Sequence, residues 1–108
     1  MNDKFLSLLG MARRSGRVNL GHDAVIGSII KNKAKLCILS SEASERLKKE
    51  IRHACTYENK NIPVIVTSYD ILTLSSAIGS KAAVVSIDDE GFAKALQIKY
   101  GNQESKEQ

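Results

Sequence analysis

Apolar positions recur along the chain in helical and strand-like rhythms by turns. Over residues 4–14, Phe5, Leu8, Leu9 and Ala12 fall at i, i+3, i+4 and i+7, one face of an amphipathic helix. Asp3 is placed to cap its start, and Arg13 and Arg14 suit its carboxyl end. Gly16 can take the left-handed turn that ends it. Arg17–Leu20 then alternates polar and apolar residues, as in a short edge strand. Gly21 permits a sharp entry into a second helix, His22–Asn32, whose apolar face consists of Ala24, Val25 and Ile29, widened by Ile26 and Ile30. Gly27 interrupts that helix, at a cost of about 0.5–1 kcal/mol against alanine, so close packing of helix on sheet is expected there.

Lys31-Asn32-Lys33-Ala34-Lys35 makes the exit and turn, and Leu36–Leu39 is continuously apolar, as expected of a strand covered on both faces. Ser40–Ser44 reads as a loop in which Ser44 caps a third helix over 45–58, with Leu47, Ile51, Ala54 and Cys55 inward and Glu45 paired to Lys49 outside. Asn59-Lys60-Asn61 breaks the pattern, and Ile62–Val66 is another strand, with Pro63 at its tolerant start. Thr67 or Ser68 caps a short helix carrying Ile71, Leu74 and Ile78. Ala77–Lys81 reads as a loop that exposes Ile78 beside Gly79. Ala82–Ile87 is a third buried strand, and Asp88-Asp89-Glu90 opens a last helix with Phe92, Ala95 and Leu96 in the core.

Such alternation predicts a small α/β sandwich with helices on both faces of a parallel or mixed sheet. Length allows one domain, residues 1–101, large enough for a core without disulfides or metals. Residues 102–108 are polar and are expected to fray.

Charge adds a direction. The net charge is +4, but residues 1–35 carry seven Lys/Arg against two acids, and the remainder nine against ten. The positive excess lies in the first third, which suits a polyanion, RNA or DNA ahead of a membrane surface. A solvated basic face is the plainer alternative. Aromatics are few and Trp is absent, which disfavours base stacking across an aromatic-rich sheet. Cys37 and Cys55 lie on apolar faces and form no ligand spacing with His22 or His53, so no metal or cofactor is expected. No window approaches a membrane span and no apolar leader follows Met1, so a cytoplasmic protein is expected.

Catalysis has little to stand on. GxSxG, HExxH, GxxxxGK[ST] and GxGxxG are all missing, and His53 reads as a surface histidine. The Asp88–Glu90 cluster reads as a helix start rather than a metal site. Nucleic-acid binding has better support. The start of the second helix offers free backbone N–H groups. Asn19, His22 and Asp23 could reach base edges or sugars there, and Lys31 could reach phosphate. Capping and turn chemistry would explain Asn19 and Asp23 equally well when taken singly.

The order of several stretches resembles the kink-turn-binding ribosomal-protein family, in particular its bacterial YlxQ-type branch. LLGMARRSGRVNLG, NKAKLCILSSEAS, Asn61-Ile62-Pro63, SAIGSK and DDEGFAK are similar to that branch's motifs in order and spacing, over residues 5–97. The resemblance implies a three-layer α/β/α sandwich with a four-stranded mixed sheet. It also implies a non-catalytic RNA-binding protein, with a kink-turn or ribosomal RNA as partner; a monomer is expected, with ribosomal or RNA-processing proteins as further candidate partners. Family members insert the start of the second helix at tandem G·A pairs of a sharply bent duplex. They cover an extruded nucleotide with the loop before the last strand. By position, Gly21 opens that helix, Lys31 matches the family's cation, and Ile78, Gly79, Ser80 and Lys81 form the second loop. Asp23 stands where the family has Asn or Lys, Ala24 where it has Glu or Gln, and Gly27 where it has Lys. The expected RNA surface is therefore Asn19, Gly21, His22, Asp23, Gly27 and Lys31 with the 78–81 loop. A face turned over to protein contacts is the alternative that the three departures suggest.

Overall fold

The computed structural model describes residues 3–106, with side-chain environments described to residue 102. Five helices alternate with four strands: α1 (Lys4–Arg14), β1 (Val18–Leu20), α2 (His22–Ile30), β2 (Leu36–Leu39), α3 (Glu45–Thr56), β3 (Val64–Val66), α4 (Ile71–Ile78), β4 (Val84–Ile87) and α5 (Glu90–Lys106). A 3-10 turn, Tyr57–Asn59, follows α3.

The strands form one mixed sheet in the order β1-β4-β2-β3. β4 runs antiparallel to β1 and β2, and β2 runs parallel to β3. Every residue of β2 and β4 is buried, which explains the unbroken apolar run of β2 and a run in β4 interrupted only by Ser86. Successive strand residues point to opposite faces, so each central strand feeds two cores. Leu36, Ile38, Val85 and Ile87 pack with Phe5, Leu9, Leu74 and Leu96 beneath α1, α4 and α5. Cys37, Leu39 and Val84 pack with Val25, Ile29, Ile51 and Cys55 beneath α2 and α3. The result is the three-layer sandwich that the sequence predicts.

Local chemistry sets the ends of the helices. Asp3 accepts from Leu6 N–H at 2.9 Å and Ser44 from Leu47 N–H at 3.0 Å, both as expected. Gly16 takes φ 76°, with its N–H on the Arg13 carbonyl and Arg17 N–H on the Ala12 carbonyl, a paired closure of α1.

Several expectations need correction. Asp70, not Thr67 or Ser68, caps α4, accepting from Thr73 N–H at 2.7 Å. Thr67 is buried instead, its hydroxyl donating to the Leu39 carbonyl at 2.8 Å, which ties the end of β3 to β2. Glu45 pairs with Lys48 at 3.0 Å, one residue short of the expected Lys49. Ile78 is not exposed: it is the last residue of α4 and only 2% accessible. The left-handed turn falls one residue later, at Gly79 (φ 81°), so Ile78 completes the inward stripe with Leu74. Ala24 faces solvent rather than the core. A Cβ on Gly27 would meet nothing within 4 Å, so close packing does not explain that glycine. The close approach is at Gly10, where a Cβ would lie 3.3 Å from the Ala77 carbonyl, allowing α1 to settle on α4. Separately, α5 extends to Lys106, into the polar stretch 102–108 expected to fray, and positions 107 and 108 of that stretch lie outside the described residues.

Candidate nucleic-acid interface

Gly21 holds φ 88° and ψ 165°, a conformation open essentially to glycine alone. Its N–H donates to the Val84 carbonyl at 3.0 Å, so the start of α2 is fixed beside the segment that enters β4. No side chain caps α2. The contrast is informative, because Asp3, Ser44, Asp70 and Asp89 cap the other four helices of the described chain. The exposed start of α2 therefore presents unsatisfied N–H groups and the positive end of a helix dipole.

From that start a stripe runs along α2. Asp23 and Gly27, four residues apart on α2, line one groove of about 320 Å³ with Asn19 of β1, Lys31 at the helix end, Ala24 and Lys33. Most of the expected helix-start residues are thus brought together. Ala24 and Gly27 leave the middle of the groove empty of long side chains.

A partly buried polar network runs beneath the groove. The Asn19 amide donates to the Ser86 hydroxyl at 3.1 Å and to the Asp88 carboxylate at 2.9 Å. Ser28 donates to the same Asp88 oxygen at 2.6 Å, and Asp88 N–H binds the Arg17 carbonyl at 2.8 Å. Asn19 thus directs its donors inward and leaves its amide oxygen for another partner. Asp88 belongs to this network, and only Asp89 of the acidic run caps α5, accepting from Phe92 N–H at 2.8 Å. Sequence reasoning missed Ser28, Ser86 and Asp88 as a unit. The available signals were a serine inside the apolar run of β4 and another on the inward face of α2.

His22 is engaged as well. Nδ1 meets Asp23 at 2.8 Å and Nε2 meets Glu50 of α3 at 2.6 Å, a contact that sequence spacing could not reveal. Hydrogen bonds first to Asp23 and then to Glu50 raise its pKa above the ordinary 6.5. A group raised on folding contributes stability that is complete below its unfolded value and is lost as pH rises through the folded one. Urea unfolding should therefore show stability falling as pH climbs above about 6.5, and His22→Gln should flatten that part of the profile. A variant profile identical to that of the parent would contradict the bridge.

The second expected loop behaves differently. Gly79, Ser80 and Lys81 are exposed, whereas Ile78 belongs to the core. Arg13 anchors this end, its Nε donating to the Ile78 carbonyl at 3.2 Å. It serves a helix C-terminus, as the sequence suggests, but that of α4 rather than its own.

No helix of the described chain is long and apolar enough to cross a membrane. Comparison with known proteins agrees with the fold. The family model described as the Ribosomal protein L7Ae/L30e/S12e/Gadd45 family matches residues 3–97. The RNA-binding protein YlxQ of Bacillus subtilis (strain 168) is 33% identical over 94 residues, covering 86% of this chain and 91% of that protein. The YlxQ protein of Enterococcus faecium, also called RNA-binding, is 31% identical over 91 residues, covering 84% and 85%. Among solved structures, a Bacillus halodurans protein of unknown function superposes with a TM-score of 0.85 at 32% identity, covering 93% of this chain and 99% of the other. A Giardia lamblia 15.5kD RNA binding protein superposes at 0.72 with 18% identity, covering 97% and 92%, a likeness of fold.

Proposed function

The chain belongs to the ribosomal-protein L7Ae/L30e/S12e/Gadd45 family, and from that premise we propose that it is a non-catalytic RNA-binding protein recognising a kink-turn-like structured RNA through the start of α2. The observation that carries this reading is the uncapped, exposed start of α2 opening onto the Asn19–Lys31 groove. Helix N-termini attract phosphate through free N–H groups and the dipole together. The YlxQ relatives, alike over most of their length, are named for RNA binding. The histidine–carboxylate cluster at His22, Asp23 and Glu50 is solvent-exposed, which suits a binding surface better than a reaction centre.

Lys31 supplies a phosphate contact in this reading, and Gly79–Lys81 a second approach. Lys31→Gln should therefore weaken binding to a kink-turn RNA and reduce the slope of log affinity against log salt by about 0.9. An unchanged slope would remove Lys31 from the interface. One observation favours a second reading, a protein-contact face with little RNA affinity. Asp23 is fully exposed, and Ala24 and Gly27 leave the groove without the family's longer polar side chains.

A further inference from the structure

The α2/α3 side of the molecule carries a feature that the helix-start reading does not use. Of the five aromatic residues, Tyr57 alone is classed among the exposed large side chains, at 56% accessible. Phe5, Phe92, Tyr69 and Tyr100 all pack on the opposite core. Tyr57 borders a hollow of about 290 Å³, together with Ile26, Ile30, His53, Ala54 and Lys60. Ile30 is 68% accessible, so the apolar lining is open to solvent. The His53 and Tyr57 rings lie 5.5 Å apart and tilted, giving two π-surfaces at its edge.

Lys60 also lines a second, adjoining cleft of about 400 Å³ with Lys35, Lys94 and Asn61. None of these three lysines has an ion-pair partner within 4.0 Å among the described residues. Glu58 lines the hollow and Glu90 the cleft, so the pair of cavities remains net positive. The chain between Tyr57 and Lys60 is unusual. Glu58 (φ 55°) and Asn59 (φ 65°) are consecutive non-glycine residues in left-handed conformation. Held strain of this kind concentrates where a chain must present particular groups. Here it sets Tyr57 and Lys60 on either side of the same hollow.

We infer that this hollow and the adjoining lysine cleft together bind an unpaired nucleotide segment of the RNA that α2 engages, the base against Tyr57 and the backbone along Lys60, Lys35 and Lys94. The inference rests on the RNA-binding reading and extends it to single-stranded RNA flanking the structured element. Stacking on an exposed aromatic, with cations tracking the backbone, is the way that unpaired strands are held without sequence preference. The turn at Lys31, Lys33 and Lys35 links the two surfaces. Lys31 and Lys33 line the α2 groove and Lys35 lines the cleft, so one strand can follow the lysines from one to the other. An apolar protein segment would fill the hollow too, but it would leave three unpaired lysines without a purpose.

The test uses the full chain and three RNAs: a blunt kink-turn duplex, the same duplex with a single-stranded uridine tail, and a free oligouridylate of about ten nucleotides. The tail should raise affinity several-fold. Tyr57→Ala and Lys60→Gln should each abolish that increment and weaken the free oligouridylate about tenfold. Both should leave the blunt duplex within about twofold, and Tyr57→Phe should retain the increment. Tyr57 is exposed and Lys60 half-buried, and unchanged thermal melting of the variants will separate lost contact from lost fold. A tail increment that survives both substitutions overturns the inference. So does an oligouridylate that fails to bind at all, which would make the hollow a protein-docking face. Failure of the helix-start reading looks different: the blunt duplex then loses its advantage over a control without G·A pairs, whatever the oligouridylate does.

Discussion

Giving α2 two longer polar side chains, Ala24→Glu together with Gly27→Lys, is expected to tighten binding to a kink-turn RNA by about thirtyfold. A specific pairing with a base edge is worth about 1–3 kcal/mol, and each ~1.4 kcal/mol is a factor of ten. Two such gains span about 2–6 kcal/mol and are partly offset by ordering the new side chains, so the bottom of that range, about 2 kcal/mol, is the expectation. The structure offers no steric objection. Ala24 faces solvent, and a Cβ at Gly27 meets nothing within 4 Å. Removing a glycine from the helix should also add about 0.5–1 kcal/mol of stability. Titration of parent and double variant against one RNA at fixed salt reads the effect. An unchanged affinity would mean that the RNA does not lie against this groove.

Phe5→Ala should cost about 3–5 kcal/mol of folding stability, the range for deleting a fully buried phenylalanine. Phe5 is wholly inaccessible and lies among Leu9, Leu36, Leu74 and Leu96, so its loss opens a cavity where α1 and α4 meet the sheet. Tyr69 stacks on it at 5.7 Å and Tyr100 meets it edge-on at 5.3 Å, adding ring contacts to the area lost. Urea unfolding measures the cost, and a loss below about 1 kcal/mol would contradict the packing described. RNA affinity, measured well below the lowered melting temperature, should change less than about threefold, because Phe5 lies on the sheet face away from α2.

Much of the fold was legible because its signals are local. The i, i+3, i+4, i+7 stripe of α1, the four-residue apolar run of β2, and the caps at Asp3 and Ser44 each act within one element. The site was partly legible for the same reason. Asp23 and Gly27 share a groove because four-residue spacing returns to one side of α2, and Asn19 of β1 and Lys31 at the helix end extend it at either end. What stayed hidden depends on contacts distant in sequence. His22 meets Glu50 across α2 and α3, and Asp88 draws in Asn19 and Ser28 from other elements, so neither role has a spacing to read. Ile78 was placed in a loop opening at Ala77, whereas α4 runs on through both residues. Once the helix continues, Ile78 lies four residues after Leu74 on the same inward face, and its side chain is core rather than surface.

Direct titration of the full chain against a kink-turn RNA and the same RNA with its G·A pairs replaced, at two salt concentrations, tests the central claim. The account predicts tighter binding to the intact kink-turn at both concentrations, with both affinities falling as salt rises. Equal affinity for the two RNAs would contradict it.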